Sequence, residues 1–398
     1  MRLAILVLVS VIMLTGCAAQ DGPSAVSAPY AFTGPVGSNV PVLAETPGGT
    51  LYLSWVEAVA PGHVLKLASM APGETTWSAP REIARDTSWF VNWADVPGVM
   101  PGPDGKVLAY WLERNGTGTY TYGVRYAVSS DAGYTWSSMN WLHDDRSPSE
   151  HGFVSGVTDA DGWQLAWLDG NQHAKGTPAM ALHSRHVAWD GTLGEEKALD
   201  NRVCDCCPIA MIPSGVAPLV FYRDRSDAEI RDIYLAAADG SQPLRALDGQ
   251  GWEIAGCPVN GPAARTHAST AAVAWFTGAQ QEPRVLTAFS ADGGNTFGET
   301  MRIDQGQPIG RVAVAFVNGT AYAAWLETTD ANAETTMIMM QALTADGLVG
   351  QPIAAQRVSG ARASGYPRLA AHDGTLLLAW TDVDADGKTR VRVAPVEL

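Results

Sequence analysis

Leu53-Ser54-Trp55-Val56-Glu57, Ala109-Tyr110-Trp111-Leu112-Glu113 and Leu165-Ala166-Trp167-Leu168-Asp169 share one pattern: an apolar run, a large aromatic, and an acidic residue two places on. The pattern returns, with Thr277 in the acid's place in one copy, as Val220-Phe221-Tyr222-Arg223-Asp224, Val273-Ala274-Trp275-Phe276-Thr277, Ala323-Ala324-Trp325-Leu326-Glu327 and Leu378-Ala379-Trp380-Thr381-Asp382. Its aromatics at 55, 111, 167, 222, 275, 325 and 380 are spaced 56, 56, 55, 53, 50 and 55 residues apart. Six near-equal spacings of 50–56 residues point to a repeat architecture.

Each unit reads as four short strands. One strand precedes the aromatic strand, and a third follows it, as in Gly123–Ser129, Pro283–Ser290 and Arg390–Ala394. A turn and a fourth strand complete the unit. Four antiparallel strands at this period describe a propeller blade. The chain stops at Leu398 after the third strand of the last unit, and residues 28–34 precede the first unit. Those residues are expected to supply the missing strand and so remove the open sheet edges of an unclosed ring. The fold expected is therefore all-β: a single seven-bladed β-propeller of four-stranded blades over residues 28–398, closed by an N-terminal strand.

The turns after two third strands are Ser129-Ser130-Asp131-Ala132-Gly133-Tyr134-Thr135-Trp136 and Ser290-Ala291-Asp292-Gly293-Gly294-Asn295-Thr296-Phe297. These resemble the Asp-box, or BNR repeat, of bacterial sialidase-like propellers. Asp190-Gly191, Asp239-Gly240 and Asp346-Gly347 resemble eroded copies. The Asp binds turn amides, the Gly takes a positive φ, and the aromatic packs between blades. Such a turn identifies a fold and leaves the activity open.

Composition narrows the partners. Against 26 Lys+Arg stand 41 Asp+Glu, a net charge of −15, with no basic run. Nucleic-acid binding needs a basic footprint, so that class is excluded. The apolar runs are too short for a polytopic membrane protein. One feature does point to a membrane. Arg2, the apolar stretch Leu3 to Leu14 and Leu14-Thr15-Gly16-Cys17 resemble a lipoprotein signal. That resemblance implies a signal peptide over 1–16, lipidation at Cys17 and a tether over 17–27. With Ala18 in place of the inner-membrane retention Asp, it implies a bacterial cell envelope protein, lipid-anchored at the outer membrane. The domain itself is expected to be monomeric.

The sialidase resemblance implies three carboxylate-binding arginines, a Tyr nucleophile with its Glu, and an acid. Ala363-Ser364-Gly365-Tyr366-Pro367-Arg368-Leu369 is similar to the family's Tyr-bearing segment, making Tyr366 the nucleophile and Arg311 and Arg368 two of the arginines. The first arginine's place is held by Asp95 of Asp95-Val96-Pro97, which would repel an acidic sugar; it could serve as the acid on another glycoside or stand as a solvated loop Asp. Asp224, Glu229 and Asp232 offer a base near Arg223, Arg225 and Arg231, or else form a solvated, salt-bridged rim.

Val203-Cys204-Asp205-Cys206-Cys207-Pro208 and Gly256-Cys257-Pro258-Val259-Asn260-Gly261 fall just before the first strands of consecutive blades. Such connections lie at the mouth of a propeller channel, together with Asn92, Asp95, Glu150, His151, Asn260, Arg311 and Tyr366. Three readings of Cys204, Cys206, Cys207 and Cys257 stand open. Two disulfides are one, as an oxidising compartment favours. A soft metal ion, copper or zinc, with His151 nearby is another. A redox thiol is the third. His183-Ser184-Arg185-His186 reads as surface polarity, Met337, Met339 and Met340 as core, and the repeat tryptophans as inter-blade packing. The function expected is a sialidase-like envelope propeller that binds a ligand, metal ion or partner, glycan or protein, at a Cys-rich mouth through residues such as His151, Asn92, Asn260 and Arg223. The alternative is an exo-sialidase-type glycoside hydrolase.

Overall fold

The structure is a computed structural model that describes residues 28–174, 176, 179–329 and 335–398. Among the described residues, twenty-eight strands form seven antiparallel four-stranded sheets. Blades one to six span 38–86, 98–141, 151–203, 210–246, 263–302 and 308–358. Blade seven takes Arg368–His372, Thr375–Val383 and Thr389–Pro395, and its fourth strand is Phe32–Thr33. Phe32 pairs with Val393 and Thr33 with Arg392, so the N-terminal strand closes the ring as the sequence implies.

The aromatic of every repeat lies in the second strand of its blade. Seven apolar clusters unite neighbouring blades, and each repeat aromatic belongs to the cluster it shares with the blade before it. Trp167, for instance, packs between blades two and three, and Trp325 between blades five and six. Burying such a ring contributes roughly 4–6 kcal/mol of transfer free energy, so the repeat is itself the inter-blade core. The acidic residue two places on has a matching role. Trp55 Nε1 donates to Glu57 at 2.7 Å, Trp167 Nε1 to Asp169 at 2.8 Å and Trp325 Nε1 to Glu327 at 2.6 Å. A buried indole N–H needs an acceptor, and an i+2 carboxylate on the same face of the strand provides one.

The Asp-box turns work locally. Asp131 accepts from the Thr135 amide at 2.8 Å and its hydroxyl at 2.6 Å, and Asp292 accepts from the same groups of Thr296 at 2.9 and 2.7 Å. Those bonds hold both carboxyls down at about 2. Phe297 meets Phe221 of the preceding blade edge-on at 5.8 Å. Met339 and Met340 are core, as expected.

One reading needs correction. His183, Ser184 and Arg185 are buried rather than surface polar. Arg185 donates to the Leu142 carbonyl at 2.6 Å and pairs with Asp144 at 2.8 Å, because the segment after blade two folds over this strand.

Candidate functional site at the channel mouth

The first strands of the blades line a central cavity of about 440 Å³. Its wall includes Asp95, Phe153, Pro208, Arg265, Tyr366 and Arg368. The segments leading into the first strands interlock around one end. Three first strands, those of blades one, three and six, carry a bulge with a residue at positive φ: Val40, Phe153 and Arg311. Each bulge amide is caught by a side chain from another blade or its lead-in. Thr381 Oγ1 accepts from Val40 N at 3.2 Å, Asp95 Oδ1 from Phe153 N at 2.7 Å and Asn260 Oδ1 from Arg311 N at 2.7 Å. A buried N–H freed by a bulge must find such a partner. Asp95 at the position of the family's arginine is therefore one of a set of latches. Gly261 is needed at the same seam, since a Cβ there would lie 1.8 Å from the Pro208 carbonyl oxygen.

Several residues singled out in the sequence are committed to the scaffold. Arg223 donates to the carbonyls of Asn260, Arg231 and Phe276 at 2.6–3.0 Å and lies against the Trp252 ring. Arg311 donates to the carbonyls of Ala361 and Gly365 at 3.0 and 3.2 Å, with its guanidinium 4.5 Å from the Trp93 ring centre. Tyr366 donates to the Val259 carbonyl at 2.7 Å and stacks on Trp93. Burial pushes its hydroxyl well above the ordinary range. Asn92 folds a local turn, accepting from Ala94 N at 2.8 Å. Arg368 reaches the cavity wall, where burial lowers its pKa and its Nε has no hydrogen-bond partner.

The carboxylate pairing sought at Tyr366 occurs instead at Tyr122. Its hydroxyl lies 2.7 Å from Glu150 Oε1 and 2.8 Å from Asp95 Oδ2. Burial raises Asp95 to about 7 and Glu150 to about 8. A single hydroxyl hydrogen cannot serve two carboxylates, so one acid carries a proton and donates to the Tyr122 oxygen. Gly152 makes the approach possible, since a Cβ there would lie 1.9 Å from Asp95 Oδ2. Glu150 was placed at the mouth from the sequence. Tyr122 was missed because it opens a third strand, and only its bridge to Glu150 across the blade seam reveals the pair.

The cysteines gather beside this group. Cys204 Sγ lies 3.0 Å from Cys207 Sγ and 4.0 Å from Cys206 Sγ, and all three sulfurs fall within 4.8 Å. All four described cysteines are unbonded, so no disulfide joins them. Hydrogen bonds from Cys206 and Cys207 pull Cys204 well below the usual thiol range, and Arg231 donates to its sulfur at 3.4 Å. Cys206, as the donor, is pushed up, and Cys257 is lowered by the same neighbour. Cys257 and Asp205 also help raise Glu150, which places thiols and carboxylates in one field. Arg225 pairs with Asp205 at 3.1 Å and with Glu229 at 2.9 Å, and Arg231 with Glu229 at 2.7 Å. His151 is not among the thiols. It is fully buried beside Asp145 and Asp169. Cys17 lies outside the described residues.

No family model matches the chain, and no curated protein does. Solved structures do. Polysaccharide lyase Uly1 is similar with a TM-score of 0.54 at 10% identity, over 95% of this chain and 94% of that one. An α-L-arabinofuranosidase from Fusarium graminearum gives 0.49 at 15% identity over 95% and 96%. The Hadza microbial sialidase Hz136 gives 0.48 at 14% identity, covering 79% of this chain and 66% of that one. At 10% identity the likeness to Uly1 shows the fold alone, and the fold of this chain is a seven-bladed propeller.

Proposed function

We propose that the protein is a metal-binding propeller whose Cys204, Cys206 and Cys207 hold a soft cation, Cu(I) or Zn²⁺, at the channel mouth, with Cys257 as a further sulfur donor. The observation that carries this reading is the convergence of three sulfurs, one already favoured as a thiolate, in the same field as the buried Glu150 carboxyl. Thiolates are soft donors and select Cu(I), zinc or iron–sulfur centres. A bound cation would draw protons from Cys206 and Cys207, since the ligand is the thiolate. The lipobox resemblance adds an acyl anchor at Cys17 and a place on the bacterial outer membrane. The test is an anaerobic Cu(I) titration against a chromophoric chelator. One equivalent should be held by the wild type and released by Cys204→Ser. Equal retention by the folded variant would end the proposal.

A second reading rests on the hydroxyl of Tyr122 between Asp95 and Glu150. A tyrosine with an adjacent carboxylate is the arrangement a sialidase-type glycosidase uses for attack, so a glycan substrate is the alternative. It requires turnover of a fluorogenic glycoside that is lost in Tyr122→Phe. Loss in Tyr366→Phe alone would return the role to Tyr366.

A further inference from the structure

We infer that blade three carries a separate site for one divalent cation of borderline softness, such as Zn²⁺, formed by Asp145, His151 and Asp169. Three separate pieces of backbone bring these side chains together. His151 opens the first strand of the blade, and Asp169 faces it at the end of the second, in register. Asp145 comes from the segment after blade two. His143 anchors that segment, its Nδ1 donating to the Asp145 carbonyl at 2.6 Å while its Nε2 accepts from Val124 N at 3.1 Å. The His143 ring stacks on His151 with centres 3.9 Å apart.

The hydrogen-bond inventory around His151 is what calls for a cation. Its Nδ1 faces the carbonyls of Ser149 at 3.2 Å and Tyr122 at 3.4 Å. Its Nε2 faces Asp145 Oδ2 at 3.1 Å and Asp169 Oδ1 at 3.6 Å. All four neighbours are acceptors. In one neutral tautomer Nδ1–H serves the carbonyls and the Nε2 lone pair faces two carboxylates; in the other Nε2–H serves a carboxylate and the Nδ1 lone pair faces two carbonyls, so either neutral ring sets a lone pair against acceptors. A positive charge between Nε2 and the carboxylates resolves the conflict. The separations suit a metal ion, because ligand atoms bound at about 2.0–2.2 Å in a tetrahedral site lie roughly 3.3 Å apart. A ring nitrogen donating to backbone carbonyls is also the arrangement that fixes a metal-binding histidine.

The other polar contacts support the carboxylates without occupying the cation's place. Asn171 N donates to Asp169 Oδ1 at 2.9 Å, and the Trp167 indole to Oδ2 at 2.8 Å. The hydroxyls of Ser147 and Ser149 donate to Asp145 Oδ2, the latter at 3.4 Å, and the Ser147 amide donates to Oδ1 at 3.3 Å. On the far side, His183 Nδ1 lies 2.8 Å from Glu196 and 3.8 Å from Asp169 Oδ2. Glu196 holds His183 on that side, which leaves Asp169 Oδ1 facing His151. The competing occupant is a proton, making His151 an imidazolium.

The experiment is a Zn²⁺ titration by calorimetry on the metal-stripped full chain, on Cys206→Ser and on the double variant Cys206→Ser/Asp145→Asn, with each fold checked by its thermal transition. The proposal expects one Zn²⁺ held by Cys206→Ser, which the wild type also holds beside any zinc at its thiols, with affinity at least tenfold weaker when Asp145→Asn is added to Cys206→Ser. With Co²⁺ as a probe, Cys206→Ser should show weak d–d bands without sulfur charge transfer. Equal affinity in the folded double variant and in Cys206→Ser would overturn the site. So would nitrogen NMR that finds both His151 nitrogens protonated and unmoved by Zn²⁺, which would make the occupant a proton only.

Discussion

The Tyr122 hydroxyl stands 2.7 Å from Glu150 Oε1, and this contact fixes how many protons the mouth retains. With Asp95 on the other side at 2.8 Å, the group needs one hydrogen more than the tyrosine has. The acids are raised to about 7 and about 8 from 3.8 and 4.5, so the folded protein keeps protons that the unfolded chain has lost.

The sign of the resulting pH dependence follows from linkage. Where the native state binds more protons than the unfolded state, stability falls as pH rises. This contribution is fully present near pH 4 and is lost as pH climbs through 7 and 8. Calorimetric melts should therefore show a declining Tm between pH 5 and 9, with a loss on the order of a few kcal/mol. Asp95→Asn can still accept from Phe153 N and donate to Tyr122, so it should flatten the slope. An unchanged slope would mean that Asp95 is ionised throughout.

Glu327 tests the aromatic–acid repeat. It accepts from the Trp325 indole at 2.6 Å and from the amides of Gln305 and Gln307 at 2.9 and 3.0 Å. Glu327→Ala would leave these donors unpaired and should lower stability by on the order of 4 kcal/mol in urea titrations. Glu57→Ala, with one indole bond at a half-buried position, should lose about 1 kcal/mol. Equal losses would show that the acid has no special part in the repeat.

Ring closure gives a further expectation. Phe32 sits 4.7 Å from the Trp55 ring, and its strand covers the edge of Thr389–Pro395. Removing residues 28–34 should lower Tm by several degrees and produce concentration-dependent dimers on a sizing column, since an exposed edge recruits another. A monomer with unchanged Tm would show the ring to be closed without this strand.

The architecture was legible because its cause is periodic. Trp55 through Trp380 mark the inter-blade cores, and an aromatic every 50–56 residues survives in any reading of the chain. The lead-in cysteines were legible for the same reason, since blade phase predicts which segments meet. Tyr122 was not legible, because its partners Asp95 and Glu150 come from segments on either side of blade two. His183 and Arg185 read as surface polarity because nothing local shows that residues 142–149 fold over them. Arg223, Arg311 and Tyr366 were chosen for charge and segment likeness, yet backbone carbonyls satisfy their polar groups. Carbonyls leave no mark in a sequence.

The most direct test of the thiol site is a native mass spectrum of the chain from Ala18 onward, produced in an oxidising compartment and loaded anaerobically with Cu(I). The account predicts all four described thiols in reduced form with one copper that disappears in Cys204→Ser. A mass short by the hydrogens of two disulfides, with no copper bound, would contradict it.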